Sequence, residues 1–197
     1  MEEYLPFISI VVGFLAGFIN VFAGGGSLLT LPLLIFMGLP ANIANGTNRI
    51  ALIMQNIVAT GSFRQQKVLD FKQGVFLLIP AGIGSIIGAF IAVNVNNGIL
   101  EKIIGGLLVI MFVFILLKPE QWIQKPDEKK IVKPTILQFV IFFLIGVYGG
   151  FIQAGIGFFL VSALVLIVGV DLIKANALKL FIVLIYNILA FIVFAVN

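Results

Sequence analysis

The sequence predicts an all-α protein, a polytopic transmembrane helix bundle with two homologous repeats and glycine-broken helices. Three observations predict it. Of 197 residues, 61% are hydrophobic and only 10% are charged, against roughly 25% charged in a soluble domain. That apolar surplus cannot be buried in one small core, so most of the chain faces lipid. The apolar residues also fall into runs near the length of a membrane span. Finally, the chain echoes itself. Gly13-x-x-x-Gly17-Phe18-Ile19-Asn20 with the Gly24-Gly25-Gly26 break returns as Gly146-x-x-x-Gly150-Phe151-Ile152-Gln153 with Gly155-x-Gly157. Downstream, Gly38 to Asn45 returns as Gly169 to Asn176, and Gln55-Asn56 as Tyr186-Asn187, at a constant offset of 131 residues. Duplicated apolar halves with a glycine break in each mark membrane transporters, whose site lies where the halves meet.

The elements follow in order. Residues 6–22 form the first apolar segment. The triple glycine interrupts it, and 28–37 resumes as a ten-residue piece, the length of a half-helix. Residues 41–60 form a third segment with polar residues along it. Residues 73–95 are long enough to span, and their Gly84-x-x-x-Gly88 spacing would let another helix approach closely. Residues 101–117 make the next span. Segments 135–153, 158–168 and 173–196 repeat the opening pattern. The first repeat is thus residues 1–134 and the second 135–197.

Two links are basic, 61–72 with Arg64, Lys67 and Lys72, and 118–134 with five lysines against three acids. Two spans separate them, so they share a side, and the positive-inside rule makes both cytoplasmic. Trp122 and Tyr4 suit the membrane interface. The N-terminus has two acids and no basic residue ahead of its apolar run, so that run reads as a mature membrane segment and not as a secretory signal. If the pieces on both sides of each break count as crossings, the first repeat has five and the second is inverted. If each break is a kink, the count is four and the repeats run parallel. The charges fit inversion, which the sequence favours only slightly.

At the same offset the second repeat would continue to about residue 248. Counterparts of 73–95 and 101–117 are therefore expected from a longer reading frame, from a homo-oligomer or from a partner that supplies the missing helices.

Several chemistries find no residues here. With no Cys there are no disulfides or thiolate metal sites, and with no His there is no imidazole relay. No carboxylate lies well inside a span, and no nucleophile–base set or metal cluster is present. The sequence predicts neither an enzyme nor a cofactor, and a net charge of +4, placed mostly in links, does not suggest nucleic acid.

The candidate site residues are polar groups on apolar helices. Asn45, Arg49 and Asn56 stand at i, i+4 and i+11, within roughly 40° on a helix, and form one polar stripe. Asn176 and Asn187 repeat the Asn45–Asn56 spacing. Arg49 matches Leu180, while Lys179 stands one position away, opposite Asn48. A cation in a membrane segment costs about 2.5–3.5 kcal/mol on insertion scales, so it persists where it faces a cavity or partner, or snorkels to the interface. Gly24-Gly25-Gly26-Ser27 opens a new helix, whose N-terminal amides favour an anion; Gly155 and Gly157 repeat the break. Asn20 and Gln153 precede the two breaks and could donate to an anion or bridge freed backbone groups. Thr47 completes the polar set.

At these residues the chain resembles the sulfite exporter TauE/SafE family of membrane permeases. The resemblance is carried by Gly17-Phe18-Ile19-Asn20-Val21-Phe22-Ala23-Gly24-Gly25-Gly26-Ser27-Leu28-Leu29-Thr30-Leu31-Pro32, continued by Gly38-Leu39-Pro40 and Ala44-Asn45-Gly46-Thr47-Asn48. A weaker copy lies at Gly150 to Gly157 with Lys174-Ala175-Asn176. The resemblance implies an inner-membrane protein of two homologous halves that moves small anions such as sulfite, sulfonates or related organosulfur compounds. The expected function is a permease working by alternating access. An anion-selective channel and an inactive or partner-dependent truncated form are the alternatives.

Overall fold

The computed structural model describes residues 5–22, 24–116 and 135–197. The second basic link, Trp122 and Tyr4 lie outside the described residues. Among the described residues every regular element is helical: α1 (Leu5–Phe22), α2 (Ser27–Phe36), α3 (Ala41–Gln65), α4 (Phe71–Asn94), α5 (Asn97–Leu116), α6 (Ile136–Phe151), α7 (Ile156–Ala163) and α8 (Leu172–Val196). A π-turn, Leu164–Val168, prolongs α7.

Local chemistry sets the helix starts. Asp70 caps α4 by accepting from the Lys72 and Gln73 amides at 3.0 and 3.2 Å. Asp171 caps α8 in the same way. Thr135 and Gln138 form a capping box on α6. One boundary departs from the sequence reading. The turn between α3 and α4 is 66–70, shorter than the 61–72 link of the sequence reading, because α3 runs on through Gly61–Gln65 until Lys67 turns left-handed at φ 59°, which leaves Arg64 on α3 and Lys72 on α4.

Each repeat begins with a helix hairpin folded at its glycine break. Ser9 meets Met37 and Ala16 meets Gly26, so α2 runs back along α1. Thr30 on α2 donates to Asn48 at 2.6 Å, so α3 turns again and runs parallel to α1. The helix pair α3 and α8, equivalent in the two repeats, forms the centre. Gly46 lies against Phe194, Arg49 bonds Asn187, and Asn56 shares a cavity with Leu180. As numbers rise on α3 they fall on α8, so the equivalent helices run antiparallel. Equivalent helices of the two repeats are thus packed against each other in opposite directions.

The tightest packing is between α4 and α6. Gly84 and Gly88 face the backbone of α6, Gly146 and Gly150 face that of α4, and a methyl group on any of the four would overlap the other helix. This is the close approach that the Gly84-x-x-x-Gly88 spacing predicts. The outer surface is apolar: Phe14, Phe18, Phe36, Met54 and Val58 are all exposed. Helices α4 and α8 are each long and apolar enough to cross a bilayer.

Candidate functional site

The two glycine breaks touch. By the offset of the opening echo, 133 residues (Gly13 to Gly146), Gly24 corresponds to Gly157. These two residues lie backbone to backbone, with the Gly157 amide donating to the Gly24 carbonyl at 3.2 Å. A side chain on either would run into the other's main chain. Gly24 also holds φ at 75°, which a residue with a Cβ adopts only with strain. The turns of both broken hairpins therefore converge on this contact.

Beside the crossing lies a small cavity, with about 10 Å³ open to the centre of a water-sized sphere, room for about one water. Asn20, Ser27, Asn56, Gln153, Lys179 and Tyr186 line it, with Leu52, Ile156, Leu180 and Val183 as apolar walls. Its polar groups are unusually idle. Neither amide atom of Gln153 has a hydrogen-bond partner, nor does Asn56 Oδ1 or the Tyr186 hydroxyl. All three residues are at most 1% exposed. An unpaired buried polar atom costs roughly 1–3 kcal/mol. Gln153 also stands in the left-handed region at φ 58°, a further cost of order 1 kcal/mol. Strain and unmet hydrogen bonds thus coincide on one side chain at one cavity.

Two buried cations flank the crossing. Lys179, 1% exposed, donates to the Asn20 and Val21 carbonyls at 3.2 and 2.9 Å, at the C-terminal end of α1. Arg49, fully buried, donates to the Gly149 and Gly150 carbonyls at the end of α6, to Asn187 Oδ1 at 3.0 Å and more loosely to Asn45 Oδ1. Its guanidinium also stacks over the Phe194 ring at 4.8 Å. Each repeat therefore sends a cation to the end of the other repeat's first helix, where the helix dipole is negative. Neither cation faces a carboxylate among the described residues; the ion pair there, Lys174–Asp171, is on the surface.

The remaining sequence candidates are placed as follows: three sets pack the helices together, and Asn176 and Thr47 lie apart from them. Ser27 accepts from Asn48, and Asn48 accepts from Thr30, so this trio ties α2 to α3. Asn45 donates to the Phe151 carbonyl and, with Asn187, holds Arg49 away from the cavity lining. Gly25 and Gly26 pack on Phe158 and on Ala16 with Asn20, and Gly155 starts α7 in a left-handed turn. Asn176 is half-buried with its Oδ1 unpaired and lies away from the cavity. Thr47 is exposed in a lateral groove between α3 and the end of α8. Tyr186 is the residue the sequence candidates lack. The signal for it is its position opposite Gln55 in the echo, polar in both repeats.

Residues 9–197 match the family described as sulfite exporter TauE/SafE. The chain belongs to that family. It is a membrane protein, similar to "Probable membrane transporter protein ORF9" of Sinorhizobium sp., with 30% identity over 85% of this chain and 63% of that one. It is also 32% identical to "Probable membrane transporter protein YfcA" of Escherichia coli strain K12, over 84% of this chain and 61% of the relative. A "Probable membrane transporter protein" of Haemophilus influenzae is 29% identical over 84% and 64%. The chain thus spans less than two thirds of the length of these relatives. No solved structure matches it. The TauE/SafE segment that carries the resemblance, Gly17 to Pro32, is the hairpin that supplies Asn20, Gly24 and Ser27 to the cavity.

Proposed function

We propose that this chain forms the binding core of a cell-membrane carrier for a small anion of the sulfite, sulfonate or related organosulfur class. The observation that carries the reading is Gln153, strained and unpaired, beside the Lys179 ammonium at the crossing of two broken helices. An entering oxyanion accepts from Lys179, from Gln153 Nε2 and from the Tyr186 hydroxyl. The Gly24–Gly157 contact, without side chains, serves as a pivot about which one hairpin rolls on the other. The site then opens to each side in turn. Residues 61–72, with Arg64, Lys67 and Lys72, and residues 118–134 face the cytoplasm, by the positive-inside rule.

A cavity that admits about one water favours a carrier over an ungated channel. The test is flux of labelled sulfite, and of a small sulfonate, in proteoliposomes. The expected result is saturable uptake with counterflow, lost in Lys179→Met. Conductance without saturation would favour a channel, and full activity in Lys179→Met would remove the assigned site.

A further inference from the structure

The fold holds one helix seat that is filled and one equivalent seat that is open. The filled seat is formed by α6 and α8 and holds α4. Gly146 and Gly150 on α6 lie against the α4 backbone. On α8, Leu189 packs on Gly82, Ser85 donates to the Tyr186 carbonyl, and Ala190 and Val193 cluster with Ala89.

The offsets of the echo map this seat onto α1 and α3. Gly146 and Gly150 become Gly13 and Gly17; Tyr186, Leu189, Ala190 and Val193 become Gln55, Val58, Ala59 and Ser62. On this side, among the described residues, nothing lies within 4 Å of a side chain built on Gly13 or Gly17. Tyr186, Ala190 and Val193 are at most 7% exposed, whereas Val58 is 74% exposed and Ser62 is open. The open face is therefore made of Gly13, Gly17, Gln55, Ala59 and Ser62, with Val58 as its one larger apolar residue. Small and polar residues of that kind are favoured at helix–helix contacts within a bilayer, where they admit close backbone approach. Gln55 already spends its amide on the Gly17 carbonyl and on Asn20, which locks α1 to α3 as a preformed groove.

We infer that the α1/α3 groove is the seat of a transmembrane helix of the α4 kind, standing in the second repeat where α4 stands in the first. The equivalence of the repeats fixes its direction: it runs parallel to α1 and α3, as α4 runs parallel to α6 and α8. Its glycine-bearing face meets Gly13 and Gly17, and its far end reaches Ser62.

The test uses the absence of native cysteine. The full 197-residue chain carrying Ser62→Cys is reconstituted with a synthetic helix of the α4 sequence, residues 71–94, bearing cysteine at the position of Ala89. The expected result is a disulfide between chain and peptide, at several times the yield given by a leucine-only helix of equal length. Gly13→Leu and Gly17→Leu should each abolish it while leaving the chain's melting temperature unchanged, because neither position has a neighbour among the described residues. Equal yields with the leucine helix would overturn the inference. So would a Ser62→Cys disulfide between two copies in preference to the peptide, or capture at Val193→Cys in place of Ser62→Cys.

Discussion

Arg49 leaves the first repeat and binds the end of α6; Lys179 leaves the second repeat and binds the end of α1. The two contacts share a plan and differ in chemistry. Arginine's fork fills its geometry with two carbonyls, two asparagine oxygens and a phenyl face, which leaves only Nε unpaired, and it stands off the cavity. Lysine makes two bonds and lines the cavity. The two equivalent contacts thus differ: Arg49 is enclosed by a nearly full set of partners, and Lys179 makes two bonds at the edge of the cavity. The closure of α6 by α4 and the open face of α1 show the same division. Among the described residues, α6 of the second repeat is packed backbone to backbone on α4, while Gly13 and Gly17 of α1 have no neighbour on the equivalent face.

The largest test of that division is the pair of cation removals. Arg49→Leu strands two helix-end carbonyls and two asparagine oxygens. At roughly 1–3 kcal/mol for each buried orphan, the loss should exceed about 3 kcal/mol. It should appear as a large drop in melting temperature in detergent, with Arg49→Lys recovering only part, since an ammonium lacks the fork. Lys179→Met should cost less than Arg49→Leu, because it frees two carbonyls and no side-chain oxygen. It should abolish the stabilisation that sulfite confers. Equal melting losses in the two variants would end the distinction between brace and binding group.

The asparagines behind the cations are the next pair. Asn187 and Asn56 are equivalents at the 131-residue offset. Asn187 Oδ1 accepts from Arg49, so Asn187→Leu should cost about 2 kcal/mol, the range for a hydrogen bond to a charged group. Asn56 donates only to the Leu52 carbonyl of its own helix and leaves Oδ1 idle at the cavity. Asn56→Leu should therefore be close to neutral in melting and should weaken anion-dependent stabilisation. A reversed order would assign the brace to the wrong half.

Gln153 and Asn20 sharpen the comparison further. They are equivalents at the 133-residue offset, yet Asn20 is helical with its amide bonded to Gln55, and Gln153 is left-handed with its amide unpaired. Gln153→Gly removes the backbone strain and the buried amide together, so the protein should melt higher, by up to about 1 kcal/mol of added stability, while losing anion flux. Asn20→Gly should lower the melting temperature. Gain of stability with loss of transport at one position is the signature of a strained functional residue.

Much of this was legible in the sequence because apolar runs, glycine breaks and offsets report covalent order directly. The all-α bundle, the repeat and the Gly84–Gly88 close approach all follow from spacing. What spacing leaves open is which polar atoms are already occupied. Asn45, Arg49 and Asn56 share a helix stripe, yet only Asn56 faces the cavity, because Arg49 is long enough to reach past it to α6. Tyr186 is not legible in the same way, because an aromatic residue on an apolar helix resembles core and only the fold shows its hydroxyl without a partner. The sense of the repeats stayed open because a ten-residue piece fits a half-helix or a kinked span. Pairing of α2 back along α1 settles the path locally.

The smallest effect lies at the helix starts, where Pro40 and Asp171 are equivalents. Pro40 caps α3 with no side-chain bond, whereas Asp171 accepts from two amides and pairs with Lys174 at 3.3 Å. Partial burial pulls the Asp171 carboxyl pKa upward. The hydrogen bonds from Lys174 and Ile173 and the Lys174 charge outweigh it, and they hold the pKa below the usual carboxylate value. A depressed folded pKa means that the cap contributes fully above pH ~4, the unfolded carboxylate value, and is lost as pH falls through the folded one. Asp171→Asn keeps an acceptor without the charge, so it should cost a few tenths of a kcal/mol, while Asp171→Ala should cost about 1 kcal/mol near neutral pH. Both differences from the parent should shrink below pH ~4, read as converging melting curves. The same acid shift applied to a Pro40→Ala chain should leave its difference from the parent flat, because α3 has no carboxylate at that position to protonate.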